Sequence, residues 1–129
     1  MQLRSILEVG AIEFAIKNFN VAFFNEIEDL LFRFDKETNI EEMALLDAKF
    51  HEKIIEKTKN PIIIEIYKMI YKMLVSLVVR LIAHPDVQQE AINDHKEIFK
   101  YLKSKNIEES KKRIDKHLKN IEEFIERYI

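Results

Sequence analysis

The chain has no cysteine, no tryptophan, one glycine and two prolines among its 129 residues. Without cysteine it can form neither a disulfide nor a thiolate metal site, and its composition suits the reducing cytoplasm. Glycine and proline are the residues that most often end helices and make tight turns. Because both are scarce, and because no segment alternates apolar and polar residues as a strand does, we expect long helices joined by short loops.

A strong positive charge and a long uninterrupted apolar run are also missing. The net charge is −2 at neutral pH. Since nucleic-acid binding usually needs a basic surface, we expect no DNA binding by this chain alone. The most apolar stretch, residues 61–83, is interrupted by Glu65, Lys68, Lys72 and Arg80. It therefore predicts a central, well-buried helix rather than a membrane span.

What the chain does contain predicts one all-α domain over residues 1–129, an antiparallel bundle of about six helices. Apolar residues make up 47% of the sequence, which is enough for a core. The periodicity predicts helices at about residues 2–17, 21–34, 39–58, 61–83, 87–104 and 106–128. Helix caps are predicted at Asn39, Asn60 and Asn106.

The first two helices carry apolar stripes without an obvious ligand site. On the first helix, Gly10 interrupts the stripe and is expected to permit close packing of a neighbour. We expect the phenylalanines of the second helix to be core residues rather than the lining of a ligand pocket. The residues concerned are Leu3, Leu7, Ala11, Phe14 and Ala15 on the first helix, and Phe23, Phe24, Phe32 and Phe34 on the second.

Four polar residues lie on apolar faces of the later helices. Asp47 and His51, four residues apart, share the inward face of the third helix. His95 and His117 take the same kind of position on the fifth and sixth helices. Each lies eleven residues from Asn106. In an antiparallel hairpin turning at Asn106, the two histidines would stand at the same level, roughly 16 Å from the turn.

These four residues predict a divalent-metal site if the third helix packs beside the hairpin. A lone inward histidine is usually a core residue bonded to a neighbour, but a buried carboxylate and three imidazoles together need a common partner. The donor set suits zinc first, with nickel, manganese and iron as alternatives. The remaining histidine, His84, precedes Pro85 and is expected to be an exposed loop residue.

The sequence also resembles the FCD (FadR C-terminal) domains of GntR-family transcription regulators. Asp47-x-x-x-His51 with Phe50 resembles their D-x-x-F-H signature, and Asn60-Pro61 resembles the opening of their next helix. Asp94-His95 and, 22 residues after His95, His117-Leu118 resemble their later histidine positions, while Arg4-x-x-x-Glu8 resembles a first-helix motif. The matching fragments run from Arg4 to Leu118.

The resemblance implies a dimeric bundle that binds a small carboxylate metabolite through a metal held by Asp47, His51, His95 and His117. It implies dimerisation through the first and fourth helices. In the family, a winged helix-turn-helix that binds DNA precedes this domain. We expect none in this chain, which would then be either a fragment or a stand-alone sensor.

A carboxylate effector also needs cationic or hydrogen-bonding partners. The sequence predicts Arg80 first, then Arg4, with Ser76 and Tyr67 as weaker candidates. Two alternatives stay open, since Arg80 could be a surface residue at the end of its helix and Arg4 could pair with Glu8. The function predicted is an effector sensor without enzymatic activity. The rival predictions are a metal-dependent, hydrolase-like helical-bundle enzyme and a structural dimerisation module stapled by metal.

Overall fold

The computed structural model describes residues 1–129 as six α-helices without a strand. The helices are α1 (Gln2–Ala15), α2 (Val21–Lys36), α3 (Ile40–Glu56), α4 (Pro61–Ile82), α5 (Pro85–Lys103) and α6 (Ile107–Tyr128). A short 3-10 turn, Ile16–Asn18, follows α1. The predicted all-α bundle of six helices is therefore confirmed. None of the six combines the length and the apolar content needed to cross a bilayer.

Asparagine caps begin α3, α4 and α6, as the sequence predicts. The side chains of Asn39 and Asn106 accept hydrogen bonds from the backbone N–H groups of Glu42 and Glu109. Asn60 caps α4 ahead of Pro61 in the same way. Each such cap satisfies an N–H group that the first turn of a helix leaves unpaired.

Lysines rather than glycines make the tightest turns of the bundle. Lys59 precedes the cap of α4 and Lys105 precedes the cap of α6, and both have φ of 56°. This left-handed conformation normally favours glycine. The chain places its one glycine elsewhere, so both turns keep their shape at some cost in backbone strain.

Most of the core lies where α1, α2 and α3 meet the α5–α6 pair. The largest apolar cluster is built around buried aromatic and branched side chains from all five of these helices. A smaller cluster joins α1, α3 and α4, and it includes Tyr67 and Tyr71. The polar site described below lies between these two apolar clusters.

The structure corrects three sequence predictions about burial. Leu3 and Phe14 of α1 are exposed, because α1 turns a different face inward, and Phe32 of α2 is 63% exposed rather than part of the core. The fourth helix is not buried all round: Tyr67, Tyr71, Leu81 and Ile82 are its buried residues. Its exposed apolar side chains, which face outward from the single chain, are Ile62, Ile66, Met69, Met73 and Val75.

Gly10 does not permit close packing within the chain, as the sequence had suggested. It is exposed, and a β-carbon added there would meet no atom within 4 Å. The backbone at Gly10 does not need glycine either, since no glycine has a positive φ.

We therefore expect Gly10→Ala to stabilise the monomeric chain by about 0.5–1 kcal/mol, because alanine loses less backbone entropy in a helix interior. Urea unfolding followed by circular dichroism at low protein concentration measures this change. A loss of stability would instead mean that Gly10 packs against a surface outside the protomer.

Candidate metal and effector site

The structure brings Asp47, His51, His95 and His117 to one point inside the bundle. Asp47 and His51 lie one turn apart on α3, and α5 and α6 supply one histidine each. One ligand-type atom from each residue lies within 4.8 Å of the others, and all four residues are buried. The ring centroids of His95 and His117 are 5.1 Å apart, so the two histidines stand at the same level of the hairpin, as their spacing from Asn106 predicts.

Four imidazole nitrogens of the cluster are buried without a hydrogen-bond partner. They are Nε2 of His51, both ring nitrogens of His95 and Nε2 of His117. Nε2 of His95 is 3.0 Å from Oδ1 of Asp47, and Nε2 of His51 is 3.4 Å from the same oxygen. Neither contact makes a hydrogen bond, since both Nε2 atoms remain unpaired. Buried imidazole nitrogens are normally satisfied, so their convergence on one carboxylate fits a shared cation.

Two further carboxylates contact the Nδ1 atoms of two of these imidazoles and so orient the rings. Nδ1 of His51 is 2.5 Å from Oε1 of Glu8, and Nδ1 of His117 is 2.8 Å from Oδ2 of Asp94. A carboxylate that accepts the Nδ1 hydrogen fixes the ring and leaves Nε2 as the ligand atom, which is the usual arrangement behind a metal-binding histidine. His95 has no such partner and lies instead against the rings of Phe34 and Phe50.

Glu8 is the centre of a second buried network that extends to α4. Arg4, one turn earlier on α1, donates from Nε to Glu8, and the hydroxyl of Tyr67 donates to Glu8 over 3.1 Å. Tyr71, one turn after Tyr67, donates to Asp47 over 2.7 Å. Through these bonds α1, α3 and α4 hold one another in register around the cluster.

The buried charged groups strongly shift one another's pKa values. Burial raises the pKa of Glu8, but the positive charges of Arg4 and His51 outweigh that effect and lower it to about 2. Burial lowers the pKa of His51, yet the carboxylates of Glu8 and Asp47 raise it to about 9. His51 is therefore protonated in the metal-free chain, and a metal ion that takes its Nε2 must displace that proton.

His95 behaves in the opposite way. Burial lowers its pKa to about 4, because the nearby carboxylate of Asp47 only partly offsets the loss of water. His95 is therefore neutral near pH 7, which is the form that binds a metal.

A cavity of about 40 Å³ opens beside the cluster, where five helices meet. Arg4, Asp47 and His117 form its polar part. Arg4 is only 1% exposed, and its Nη2 atom is buried without a partner. The cavity thus presents an unpaired cationic donor next to the four clustered residues.

The predicted effector contacts fall into two groups. Arg4 lines the cavity, and Tyr67 is buried in the Glu8 network behind it. Arg80 and Ser76 are exposed and do not line the cavity. Arg80 follows the inward-facing Tyr71 by nine residues, which places it about half a turn round the helix. The structure therefore does not bring Arg80 or Ser76 to the cluster.

Sequence reasoning missed Glu8, Asp94 and Tyr71 as parts of this site. The Arg4–Glu8 ion pair, which the sequence offered as an alternative role for Arg4, is present in the structure. The pair is buried and faces the cluster. A signal for Glu8 existed, because Arg4 and Glu8 continue at helical spacing into the buried Ala11, Ile12 and Ala15.

His84 is half-buried rather than an exposed loop residue, and its ring stacks on Tyr128 at 3.7 Å.

The chain belongs to the FCD domain family, whose pattern it matches over residues 1–120. No protein among the curated sequences matches it significantly.

Two solved structures share its fold. One is McbR/YncC of E. coli, with a TM-score of 0.82 and 18% identity, covering 98% of this chain and 66% of that one. Another is a transcriptional regulator (GntR family member) from Pseudomonas syringae pv. tomato, with a TM-score of 0.77 and 17% identity, covering 98% of this chain and 54% of that one. The present chain therefore spans between about half and two thirds of these proteins.

We expect Tyr71→Phe to destabilise the metal-free chain by about 1.5–3 kcal/mol, because it removes a hydrogen bond to a buried carboxylate. Urea unfolding monitored by circular dichroism measures this loss. Tyr101→Phe is the matched control, since that half-buried tyrosine uses its ring against Lys100 and Arg113. Equal stability of the two variants would show that the Tyr71–Asp47 bond contributes nothing.

Proposed function

We propose that this chain is the effector-sensing, metal-binding and dimerisation domain of a GntR/FadR-type transcription regulator, and that it binds a small carboxylate metabolite. The observation that carries the proposal is the buried Asp47, His51, His95 and His117 cluster, whose ligand atoms lie within 4.8 Å of one another. Membership of the FCD family supports the regulator class.

The four residues fit a divalent metal by both chemistry and surroundings. Three imidazoles and one carboxylate form a donor set typical of zinc, with nickel, manganese and iron as alternatives. The unpaired imidazole nitrogens would become ligands, while Glu8 and Asp94 would hold His51 and His117 in orientation. A bound ion would supply positive charge and coordination positions for an anionic group.

Arg4 is the residue that we propose to recognise the effector's carboxylate beside the metal. Its guanidinium is buried, lines the cavity and keeps Nη2 unpaired. Arginine is well suited to bind a carboxylate through its fixed fork of donors. Tyr67 would not contact the effector directly, because its hydroxyl is already bonded to Glu8.

Sensing follows from the position of the cavity between α1, α3, α4, α5 and α6, each of which lines it. A ligand held there would change how these helices pack, and in a dimeric regulator that change would alter the spacing of two DNA readers. We place this function in the cytoplasm, where such regulators act.

The rival functions receive less support from the same residues. A hydrolase would need a free general base beside the metal. Glu8, the nearest additional buried carboxylate, is already bound by Arg4, His51 and Tyr67. A metal with a purely structural role would leave the cavity and the unpaired Nη2 of Arg4 without a function.

We expect the purified chain, stripped of metal and then titrated with zinc, to bind about one ion per chain. His95→Ala and His117→Ala should each weaken binding at least about 100-fold, because each removes one ligand. Isothermal titration calorimetry with mass-spectrometric metal analysis measures this.

His84→Ala is the control, since His84 lies at the start of α5 against Tyr128 and away from the cluster. Wild-type protein that stays free of zinc, or equal losses in all three variants, would contradict the metal site.

The outer face of α4 supports the dimer. Its exposed apolar residues are Ile62, Ile66, Met69 and Met73, of which Met73 is 81% exposed. They recur at spacings of four, three and four residues, the pattern of a helix–helix seam. Ser76 and Arg80 continue the same series, so we assign them to this face rather than to the effector.

We expect the double substitution Met69→Glu and Met73→Glu to convert a dimer into a monomer, because it places charge in an apolar seam. Sedimentation velocity across a range of concentrations measures the change. Phe32→Glu is the control, since Phe32 is similarly exposed but lies on α2. A dimer that survives the double substitution would exclude this face.

A further inference from the structure

The cavity beside the cluster is lined mainly by hydrocarbon. Its apolar residues come from α4, α5 and α6, and they are Val78, Leu81, Ile82, Val87, Ala91 and Ile121. Buried apolar walls favour an apolar ligand group and penalise a polar one that they cannot hydrogen-bond. The composition of the walls therefore limits what the non-carboxylate part of an effector can be.

The polar groups nearest the cavity are already bonded to protein. The hydroxyl of Tyr71 donates to Asp47, and the hydroxyl of Tyr67 donates to Glu8. Among the side chains that line the cavity, the polar atoms without a hydrogen bond are on the guanidinium of Arg4, which would hold the ligand carboxylate, and are Nε2 of His117 and Oδ1 of Asp47, which would hold the metal. No cavity-lining group is therefore left to bind a ligand hydroxyl away from the carboxylate end.

The charges match one ligand carboxylate. A divalent ion and Arg4 would bring three positive charges, and the two fully buried carboxylates, Glu8 and Asp47, bring two negative ones. One negative charge on the ligand balances the difference. Asp94, which is only partly buried, adds further negative charge at the edge and disfavours a second ligand carboxylate.

The size of the cavity sets the length of the ligand. A water molecule needs roughly 10–15 Å³ of such space, so about 40 Å³ accommodates three or four atoms of that size without rearrangement. Small rotamer changes of Leu81 or Ile82 would add room for one or two carbons. Acetate, propionate and butyrate lie in this range, whereas citrate does not.

We infer that the effector is a short-chain aliphatic monocarboxylate of about propionate or butyrate size, an inference that rests on the metal-dependent sensor proposed above. Its carboxylate faces Arg4 and the histidine cluster, and its alkyl group packs against Val78, Leu81 and Ala91. An acid of the same length with a hydroxyl at the far end of its chain buries that hydroxyl without a partner, and a dicarboxylate buries a second charge.

The test titrates the zinc-loaded chain with propionate, butyrate, 3-hydroxypropionate and succinate at constant pH and ionic strength, using isothermal titration calorimetry. We expect propionate or butyrate to bind at least about tenfold more tightly than 3-hydroxypropionate, since an unpaired buried hydroxyl carries a penalty of that order. Succinate is expected to bind more weakly still.

Val78→Thr provides an almost isosteric variant that adds a hydroxyl to the apolar wall. It should reduce the preference for propionate over 3-hydroxypropionate while leaving zinc affinity unchanged. Val75→Thr is the matched control on the same helix, because Val75 is 42% exposed and does not line the cavity. Circular dichroism establishes that both variants fold.

The outcomes separate this inference from the function on which it rests. Tighter binding of 3-hydroxypropionate or succinate than of propionate would overturn the aliphatic monocarboxylate assignment and leave the metal-dependent sensor standing. A zinc-loaded chain that binds none of the four acids would overturn the monocarboxylate assignment as well. A chain that binds no zinc would contradict the proposed metal-dependent sensor and, with it, the inference about the effector.

Discussion

The structure depends on a set of charges that no single helix could bury by itself. Arg4, Glu8, Asp47 and His51 are all nearly inaccessible to water. Each would be costly to bury alone, since an unpaired ion in the interior costs several kcal/mol. Glu8 pairs with Arg4 on its own helix and with His51 on α3, and Tyr71 on α4 donates to Asp47. The charges are therefore tolerated only when α1, α3 and α4 are assembled together. The polar centre therefore specifies the relative positions of these helices as well as the site.

The three histidines are held in two different ways. Carboxylates from α1 and α5 fix His51 and His117 through their Nδ1 atoms. His95 is held by packing, with its ring centroid 4.5 Å from that of Phe50 and 5.1 Å from that of Phe34. The apolar core thus contributes directly to the site, because the rings that exclude water also set the direction of an imidazole.

Much of the fold and of the cluster could be predicted from the sequence, because helix periodicity and hairpin symmetry are local rules. His95 and His117 meet because each lies eleven residues from Asn106. The inward face of α1 could not be predicted in the same way. Apolar periodicity selects Leu3 and Phe14, whereas the buried face of α1 includes Arg4 and Glu8, and Glu8 has partners on α3 and α4. The position of Arg80 away from the cluster has a related cause, since a helix with two apolar sides does not reveal which one faces the core.

The polar centre makes the chain unevenly tolerant of insertions. One residue inserted into α6 ahead of His117 would rotate that side chain by about 100° relative to the preceding turn and shift it by about 1.5 Å, turning it away from its neighbours. An insertion into α4 ahead of Tyr67 would turn Tyr67 and Tyr71 away from their carboxylate partners in the same way. By contrast, α2 contributes none of the four clustered residues and reaches them near its end through Phe34, whose ring packs against His95. Changes of length should therefore be tolerated better at the start of α2 than within α4 or α6.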